Sequence, residues 1–311
     1  MSKTISGFSK LSKAKKIEWI VTTYFANNES AKQILEQYWH SDQKIQQLHD
    51  EFIENTISNY YLPFGVAPNF LINDKLHTIP MAIEESSVVA AASKSAKFWL
   101  DRGGFKTKVL STTKIGQVHF MYYGNPDTLK SYFTEIKPKL IQDVKPITKN
   151  MEKRGGGIID IELRDKTQDI KGYYQLHVKF ETLDAMGANF INSCLEKISK
   201  AFKELILKSK LLQDSEKEIE IIMSILSNYT PDCIVEASVE CSVEELGTID
   251  GLSSSEFSSK FKSAFDIAQI DINRAVTHNK GIMNGVDAVL ISTGNDFRAV
   301  EAGIHAYASS D

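Results

Sequence analysis

The sequence predicts an α+β fold in which a large domain of helices and strands carries a smaller inserted domain. The order strand, helix, strand, strand, helix, strand within residues 111–227 is the ferredoxin-like arrangement. Helical periodicity dominates before and after that region. The chain has 311 residues, which exceeds the ~250–300 residues at which single cores stop growing. We therefore expect a large domain made of residues 1–110 and 228–311, interrupted by a small domain of residues 111–227.

The first part of the large domain predicts packing helices followed by a hairpin. Apolar residues recur at helical spacing in two groups, which are Ile17, Ile20, Val21 and Tyr24, and then Ile45, Leu48, Phe52 and Ile53. A cap at Ser41 or Asp42 would begin the second helix. Residues 65–72 and 76–83 flank Asn73 and Asp74 as two strands of a hairpin. An alanine-rich helix follows residues 84–87, where two glutamates complement the helix dipole.

The small domain predicts four strands and two helices. The strands cover residues 116–123, 157–164, 173–181 and 219–226. The helices cover residues 127–149 and 188–208, with interruptions of the first at Pro138 and Pro146. After this domain we expect a strand at residues 233–241 and a helix that begins within residues 253–256.

Residues 273–308 combine more polar chemistry with helix-forming residues than any other part of the chain. Lys280 precedes Gly281 and Asn284 precedes Gly285, which suggests that the backbone turns sharply there and passes close to a ligand. Asn295 or Asp296 would cap a helix that starts at residue 297. On spacing alone, a capped pair of helices with Lys280 in solvent is the commoner explanation of such a pattern.

Composition indicates a soluble cytoplasmic protein. The net charge of −4 gives no basis for nucleic-acid binding, and no window has the ~20 apolar residues of a membrane span. The basic N-terminal stretch is not followed by the apolar segment of a signal peptide. The three cysteines, Cys194, Cys233 and Cys241, lack metal-ligand or redox spacing, so that we expect neither a metal nor a disulfide.

Signals for nucleotide binding are present but unspecific. No glycine fingerprint of the usual dinucleotide-binding type opens a helix, since the run of glycines at residues 155–157 precedes a strand. Small residues at positions 186–189 start a helix and would let backbone N–H groups approach a pyrophosphate, although glycine before a helix is more often only a turn. Asp160 would accept hydrogen bonds from ribose hydroxyls, whereas a strand aspartate more often faces water.

Six blocks in order resemble the bacterial, class II hydroxymethylglutaryl-CoA reductases. They are E-N-T-I at 54–57, P-F-G-V-A-P-N at 63–69, P-M-A-I-E-E-S-S-V-V-A-A-A at 80–92, D-A-M-G-A-N at 184–189, T-H-N-K-G-I-M-N-G at 277–285 and T-G-N-D at 293–296. The resemblance implies reduction of hydroxymethylglutaryl-CoA to mevalonate and CoA by two molecules of NADH or NADPH, or the reverse. It also implies a homodimer whose active site forms between subunits, with the 54–57 block at the interface.

The resemblance assigns roles to individual residues. Lys280, Glu85 and Asp296 match the catalytic residues, as oxyanion partner, proton donor and the link between them. Residues that hold the hydroxymethylglutaryl group are Ser87, Arg274, Thr277 and Asn284. Cofactor-binding residues are Asp160, Asp184, Met186, Gly187, Ala188 and Asn189, and the charge of Asp160 favours NADH because it would repel a 2′-phosphate.

The family continues beyond the position matched by His305 to Ala308, into a C-terminal domain with the histidine that protonates the CoA thiolate. No histidine of this chain lies in that motif, so that we expect the 311-residue chain to lack that domain and to be impaired as a reductase. Two alternatives remain. One is a non-catalytic CoA- and nucleotide-binding or dimerisation module, and the other is a structural protein without a site.

Overall fold

The computed structural model describes residues 4–310, so that Met1 to Lys3 of the basic N-terminal stretch and the terminal Asp311 lie outside the description. The chain forms two compact units. One contains the residues up to Gly65 together with Ala82–Glu85, and the other contains Val66–Met81 and the residues from Ser86 onward. Helices combined with antiparallel sheets confirm the α+β class.

The first unit is built from three helices, α1 (Lys13–Tyr24), α2 (Glu29–Gln37) and α3 (Gln43–Asp50). Each begins at a residue whose side chain accepts hydrogen bonds from backbone N–H groups, and Asp42 has this role for α3 as predicted. The helix α2 was not singled out by the apolar spacing, because its nine residues contain only two large apolar side chains, Ile34 and Leu35.

The prediction that Phe52 and Ile53 extend the packing face of α3 is wrong. The helix ends at Asp50, and these two side chains are 70% and 67% exposed. With Leu48 also exposed, the described residues leave the apolar face of α3 uncovered. Periodicity alone does not say what an apolar face packs against.

The predicted hairpin is formed by β1 (Phe64–Ile72) and β2 (Lys75–Ala82). Asn73 and Asp74 both have positive φ, at 47° and 64°, as the favoured two-residue hairpin turn requires. The alanine-rich helix α4 (Val88–Leu100) follows, and the residue before it, Ser87, also has a positive φ of 73°.

A five-stranded antiparallel sheet is the largest part of the second unit. It contains β3 (Lys106–Tyr122), β4 (Gly157–Asp165), β5 (Tyr173–Glu181) and β6 (Ile219–Leu226) in the order β4-β5-β3-β6, and β7 (Cys233–Ser238) pairs with the first half of β3. The helices α5 (Pro126–Asp143), α6 (Lys145–Glu152) and α7 (Ala188–Lys208) complete the predicted ferredoxin-like order. The division into a separate domain of residues 111–227 stays a prediction.

The predicted interruption at Pro138 is wrong. This proline lies inside α5, and the helical segment instead breaks at Val144, ahead of Pro146. Pro138 is exposed, whereas Ile136 and Leu140 on either side are buried. Packing of these neighbours compensates for the hydrogen bond that a proline removes from a helix.

The core of this region lies between one face of the sheet and the helices α5 and α7. Its largest fully buried side chains are Tyr122, Phe120, Phe180, Phe202, Leu129, Leu140, Ile161, Leu176, Ile191, Leu195 and Ile198. Gly116 allows the close approach of α7 to β3, because a Cβ there would lie 2.5 Å from Leu195 Cδ1. This contact packs the first turns of α7 against the interior of β3.

Three helices end the chain: α8 (Ser254–Ile270), α9 (Ile272–Ser292) and α10 (Phe297–Ala308). The prediction of sharp turns at Gly281 and Gly285 is wrong, because α9 runs through both without a positive φ. A glycine within a long helix costs only about 1 kcal/mol relative to alanine, which packing elsewhere along α9 offsets. None of the helices in residues 4–310 is long and apolar enough to cross a membrane.

Candidate active site

The helix α9 carries four of the predicted site residues. Arg274, Thr277, Lys280 and Asn284 are spaced three or four residues apart and therefore share one stripe of its surface. Arg274, Thr277 and Lys280 are exposed, and Asn284 is half-buried. The Thr277 hydroxyl donates to the carbonyl of Asn273 at 2.8 Å. Two cations, a hydroxyl and an amide are thus aligned along one helix.

Asp296 lies at the tight turn between α9 and α10. Its carboxylate accepts a hydrogen bond from the N–H of Ala299 at 3.2 Å and so caps α10, as predicted. The preceding Asn295 donates its backbone N–H to the Leu290 carbonyl at 2.9 Å and its side-chain amide to the Thr293 hydroxyl at 2.8 Å. These bonds fix the direction in which the Asp296 side chain leaves the turn.

Glu85 and Ser87 belong to different compact units. Glu85 ends the part of the chain that is grouped with the first unit, and Ser87 precedes α4 in the second. Glu85 therefore belongs to the first unit, whereas Lys280 and Asp296 belong to the second. The hydrogen-bonded network of these three residues stays a prediction.

The loop of residues 182–187 joins β5 to α7, so that the predicted block 184–189 covers the end of this loop and the first two residues of the helix. Gly187 ends it with a φ of 76°, and a Cβ there would lie 2.6 Å from Thr182 Cγ2. The Thr182 hydroxyl in turn donates to the carbonyl of Ala185 at 2.7 Å. No side chain among the described residues caps α7, and its first N–H groups, beginning at Ala188, have no acceptor within the helix. Such N–H groups are suited to bind an anion.

Asp160 lies on β4 and forms an ion pair with Lys137 of α5, with 2.5 Å between Nζ and Oδ1. The hydrogen bond from Lys137 holds the pKa of Asp160 below its usual value, and the positive charge of Lys179 acts in the same direction. The predicted ribose acceptor is therefore already paired with a cation.

A cavity of about 640 Å³ lies within the second unit, beside the start of α7. The loop after β5 contributes Leu183, Asp184, Ala185, Met186 and Ala188. Further lining comes from residues 226–231 and 233–235 and from one face of α10, with Ala299, Val300, Gly303, Ile304 and Tyr307. Most of this lining is apolar.

The cavity brings together two groups of predicted residues that are far apart in the sequence. Asp184, Met186 and Ala188 line it together with Asp296. Other predicted residues do not line it, and these are Ser87, Asp160, Arg274, Thr277, Lys280 and Asn284. Gly187 and Asn189 belong to the same loop but are not among the lining residues either.

The sequence pattern did not single out Lys114, which lines the same cavity. Among the described lining residues it is the one with a basic side chain, and its Nζ donates to the Thr112 carbonyl at 3.5 Å. Lys114 precedes Gly116 by two residues on β3, so that strand alternation places both on the face covered by α7. That periodicity is the signal from which Lys114 could have been identified.

Two carboxyl groups meet where α10 packs on α9. Burial raises the pKa of Asp287 to about 6, and a hydrogen bond to Glu301 and its negative charge act in the same direction, while His305 opposes them. One carboxylate oxygen of Asp287 is buried without a hydrogen-bond partner among the described residues. Asp287 of α9 and Glu301 of α10 therefore form a contact between α9 and the helix that lines the cavity.

Comparison with known proteins identifies relatives over almost the whole chain. Residues 14–311 match the family described as hydroxymethylglutaryl-coenzyme A reductase. The 3-hydroxy-3-methylglutaryl-coenzyme A reductase of Archaeoglobus fulgidus is 35% identical over 99% of this chain and 66% of its own length. A probable reductase of the same name from Borreliella burgdorferi is 34% identical over 84% of this chain and 57% of its own length. The chain thus spans about two thirds or less of the length of these relatives.

Solved structures show the same similarity. The 3-hydroxy-3-methylglutaryl-coenzyme A reductase of Streptococcus pneumoniae matches with a TM-score of 0.74 and 34% identity, over 99% of this chain and 79% of the other. A structure of the class II enzyme from the same organism, bound to NADPH in open conformations, matches with a TM-score of 0.73 and 33% identity, over 98% and 79%.

Proposed function

The chain belongs to the hydroxymethylglutaryl-coenzyme A reductase family, and from this premise we propose that it reduces hydroxymethylglutaryl-CoA to mevalonate and CoA, or catalyses the reverse oxidation. The observation that carries the proposal is the cavity, which is lined both by Asp296 and by residues 184–186 and 188. It combines an uncapped helix start, a cation at Lys114, an apolar wall and a carboxylate.

We propose that NADH or NADPH binds in this cavity. The N–H groups at the start of α7 and the ammonium of Lys114 are suited to the phosphates, and the apolar wall on α10 is suited to an aromatic ring. The bound cofactor supplies hydride. On this proposal, residues 111–227 form the domain that binds the cofactor, and the two ends of the chain form the domain that binds the substrate.

The remaining roles rest on the resemblance of this chain to the family. Lys280 places its ammonium against the substrate oxygen as negative charge develops there, which commonly contributes about 3–4 kcal/mol per oxyanion donor. Glu85 donates the proton that this oxygen takes up, and Asp296 keeps both groups in the required protonation states. Arg274 is suited to bind the carboxylate of the hydroxymethylglutaryl group with two parallel hydrogen bonds, while Ser87, Thr277 and Asn284 bind its other polar atoms.

Turnover and binding are tested separately on the 311-residue chain. Calorimetry measures NADPH binding, and loss of reduced nicotinamide absorbance measures reduction of hydroxymethylglutaryl-CoA and of mevaldehyde. Lys280→Ala should lower either turnover by roughly 10²-fold or more and leave NADPH binding intact. Lys262→Ala, an exposed lysine of α8, is the matched control. If the chain binds NADPH but shows no turnover, or a turnover that Lys280→Ala leaves unchanged, it is instead a binding module.

We also propose a homodimer. The helix α8 has no buried residue, and an apolar surface continues from it into the start of α9, with Phe261, Phe265, Ile267, Ile270, Ile272 and Val276 exposed. Ile270 and Ile272 are 85% and 80% exposed, which a second copy of the chain would cover. Sedimentation should show twice the 34.9 kDa chain mass, and Ile270→Glu with Ile272→Glu should shift it toward that of one chain. A wild-type chain that sediments as a monomer at micromolar concentration contradicts the proposal.

A cytoplasmic location fits this function. All three cysteines, Cys194, Cys233 and Cys241, are free thiols, which is usual in a reducing compartment.

A further inference from the structure

The loop that forms one wall of the cavity begins in an unfavourable backbone conformation. Leu183 has a φ of 53°, in the left-handed region that residues with bulky side chains avoid. Its side chain lines the cavity, and the next residue, Asp184, does so as well. Without an external restraint, Leu183 would relax to negative φ and move both residues.

The restraint comes from Glu181, the last residue of β5. One oxygen of its carboxylate accepts the backbone N–H of Leu183 at 2.7 Å. The hydroxyl of Thr112 on β3 lies 2.7 Å from each of the two carboxylate oxygens. A charged acceptor, itself anchored to the neighbouring strand, thus holds the N–H of the strained residue.

Gly156 and Gly157 restrict Glu181 from a second direction. A Cβ at Gly156 would lie 2.6 Å from the backbone oxygen of Glu181. Gly157 is paired with Glu181 in the ladder between β4 and β5. This turn, which does not belong to a dinucleotide fingerprint, therefore packs directly against the backbone that supports the loop.

We infer that Glu181 is a positioning residue, which holds Leu183 in its left-handed conformation through the N–H hydrogen bond and thereby shapes the loop for the cofactor. The inference rests on the proposed function, in which this loop binds NADH or NADPH. Glu181 does not itself line the cavity. Its effect on binding acts through the conformation of residues 183–187.

Calorimetry with NADPH and thermal melting test the inference on four variants. Glu181→Ala removes the acceptor and should weaken binding roughly tenfold or more, as loss of a hydrogen bond to a charged group does. Glu181→Gln retains an amide oxygen for the Leu183 N–H and a donor for Thr112, and should recover most of the affinity. Thr112→Val removes only the anchor and should have an intermediate effect. Glu162→Ala, whose carboxylate pairs with Arg164 and Lys179 on the same sheet, should bind NADPH like the wild type.

A double-mutant cycle with Leu183→Gly separates positioning from general stability. Glycine adopts the left-handed conformation without cost, so that removing Glu181 should matter much less in a Leu183→Gly background. A purely structural role of Glu181 would give the same loss in both backgrounds and would overturn the inference. Wild-type affinity of a folded Glu181→Ala would also overturn it. If Glu181→Ala does not fold, Thr112→Val takes its place in the cycle, and its loss of affinity should likewise be smaller in the Leu183→Gly background. Failure of the wild-type chain to bind NADPH would instead reject the proposed function.

Discussion

Replacing Gly187 by alanine perturbs the start of α7 in two ways that can be measured separately. The backbone at this position has a φ of 76°, and an added Cβ would lie 2.6 Å from Cγ2 of Thr182. Gly155 is a matched control, because its φ is also positive, at 95°, but a Cβ there would meet nothing within 4 Å. Gly155→Ala therefore changes the backbone preference alone, whereas Gly187→Ala also creates a steric clash.

The expected magnitudes follow from these two contributions. A left-handed alanine costs about 1–2 kcal/mol relative to glycine. Forcing a side chain into filled space adds about 1–3 kcal/mol. Gly155→Ala should therefore lower the free energy of unfolding by about 1–2 kcal/mol and Gly187→Ala by about 2–5 kcal/mol. Because the Thr182 side chain bonds to the loop, Gly187→Ala should also weaken NADPH binding, while Gly155→Ala should not.

Urea unfolding and NADPH calorimetry provide the assay, and Thr182→Ser provides the internal check. Serine lacks Cγ2 but keeps the hydroxyl that donates to Ala185. Combining it with Gly187→Ala should restore about 1 kcal/mol or more of stability and part of the affinity. Equal losses in Gly155→Ala and Gly187→Ala, or no recovery with Thr182→Ser, would refute the argument that contact with Thr182 requires glycine at position 187.

Two further predictions follow from the charged pairs. The folded-state pKa of Asp287 lies above its usual value, so that folding becomes less favourable as pH rises toward and through about 6. Asp287→Asn should therefore raise the melting temperature by about 2 °C or more at pH ~8, by roughly half as much at pH ~5 and hardly at all below pH ~4, as measured by scanning fluorimetry against Asp266→Asn. Lys137→Met should increase the preference for NADH over NADPH, because Asp160 loses its cationic partner and its charge then repels a 2′-phosphate more strongly. An unchanged ratio of the NADH and NADPH dissociation constants would show that this ion pair does not select the cofactor.

Several elements were predictable because their signals are local. The strand β5 and the helix α7 have the predicted bounds, and Asn73 and Asp74 join two strands of a hairpin as predicted. The cap at Asp296 follows from an acidic residue before an apolar helical repeat. In each case the determining interaction joins residues a few positions apart, and periodicity or capping chemistry is sufficient.

The candidate site was only partly predictable. The resemblance selected Asp184, Met186 and Ala188 in one block and Asp296 in another, and the structure places these four around one cavity. It did not select Lys114, which lies outside the matching blocks and whose place beside the cavity follows from strand alternation relative to Gly116. The roles of Glu85 and Lys280 stay predictions, since these two residues belong to different compact units.

The sequence by itself determined the class of fold, the order of its strands and helices, and the family to which its blocks belong, since these depend on local periodicity and on residues read in order. Only the tertiary structure decided that α9 continues through Gly281, that the break near α6 falls at Val144, and that Leu183 is left-handed. The last of these depends on the side chain of Glu181 and on Thr112, which is 69 positions from that glutamate. Such conformations follow from contacts across space, which outweigh the local preference of the residue that adopts them.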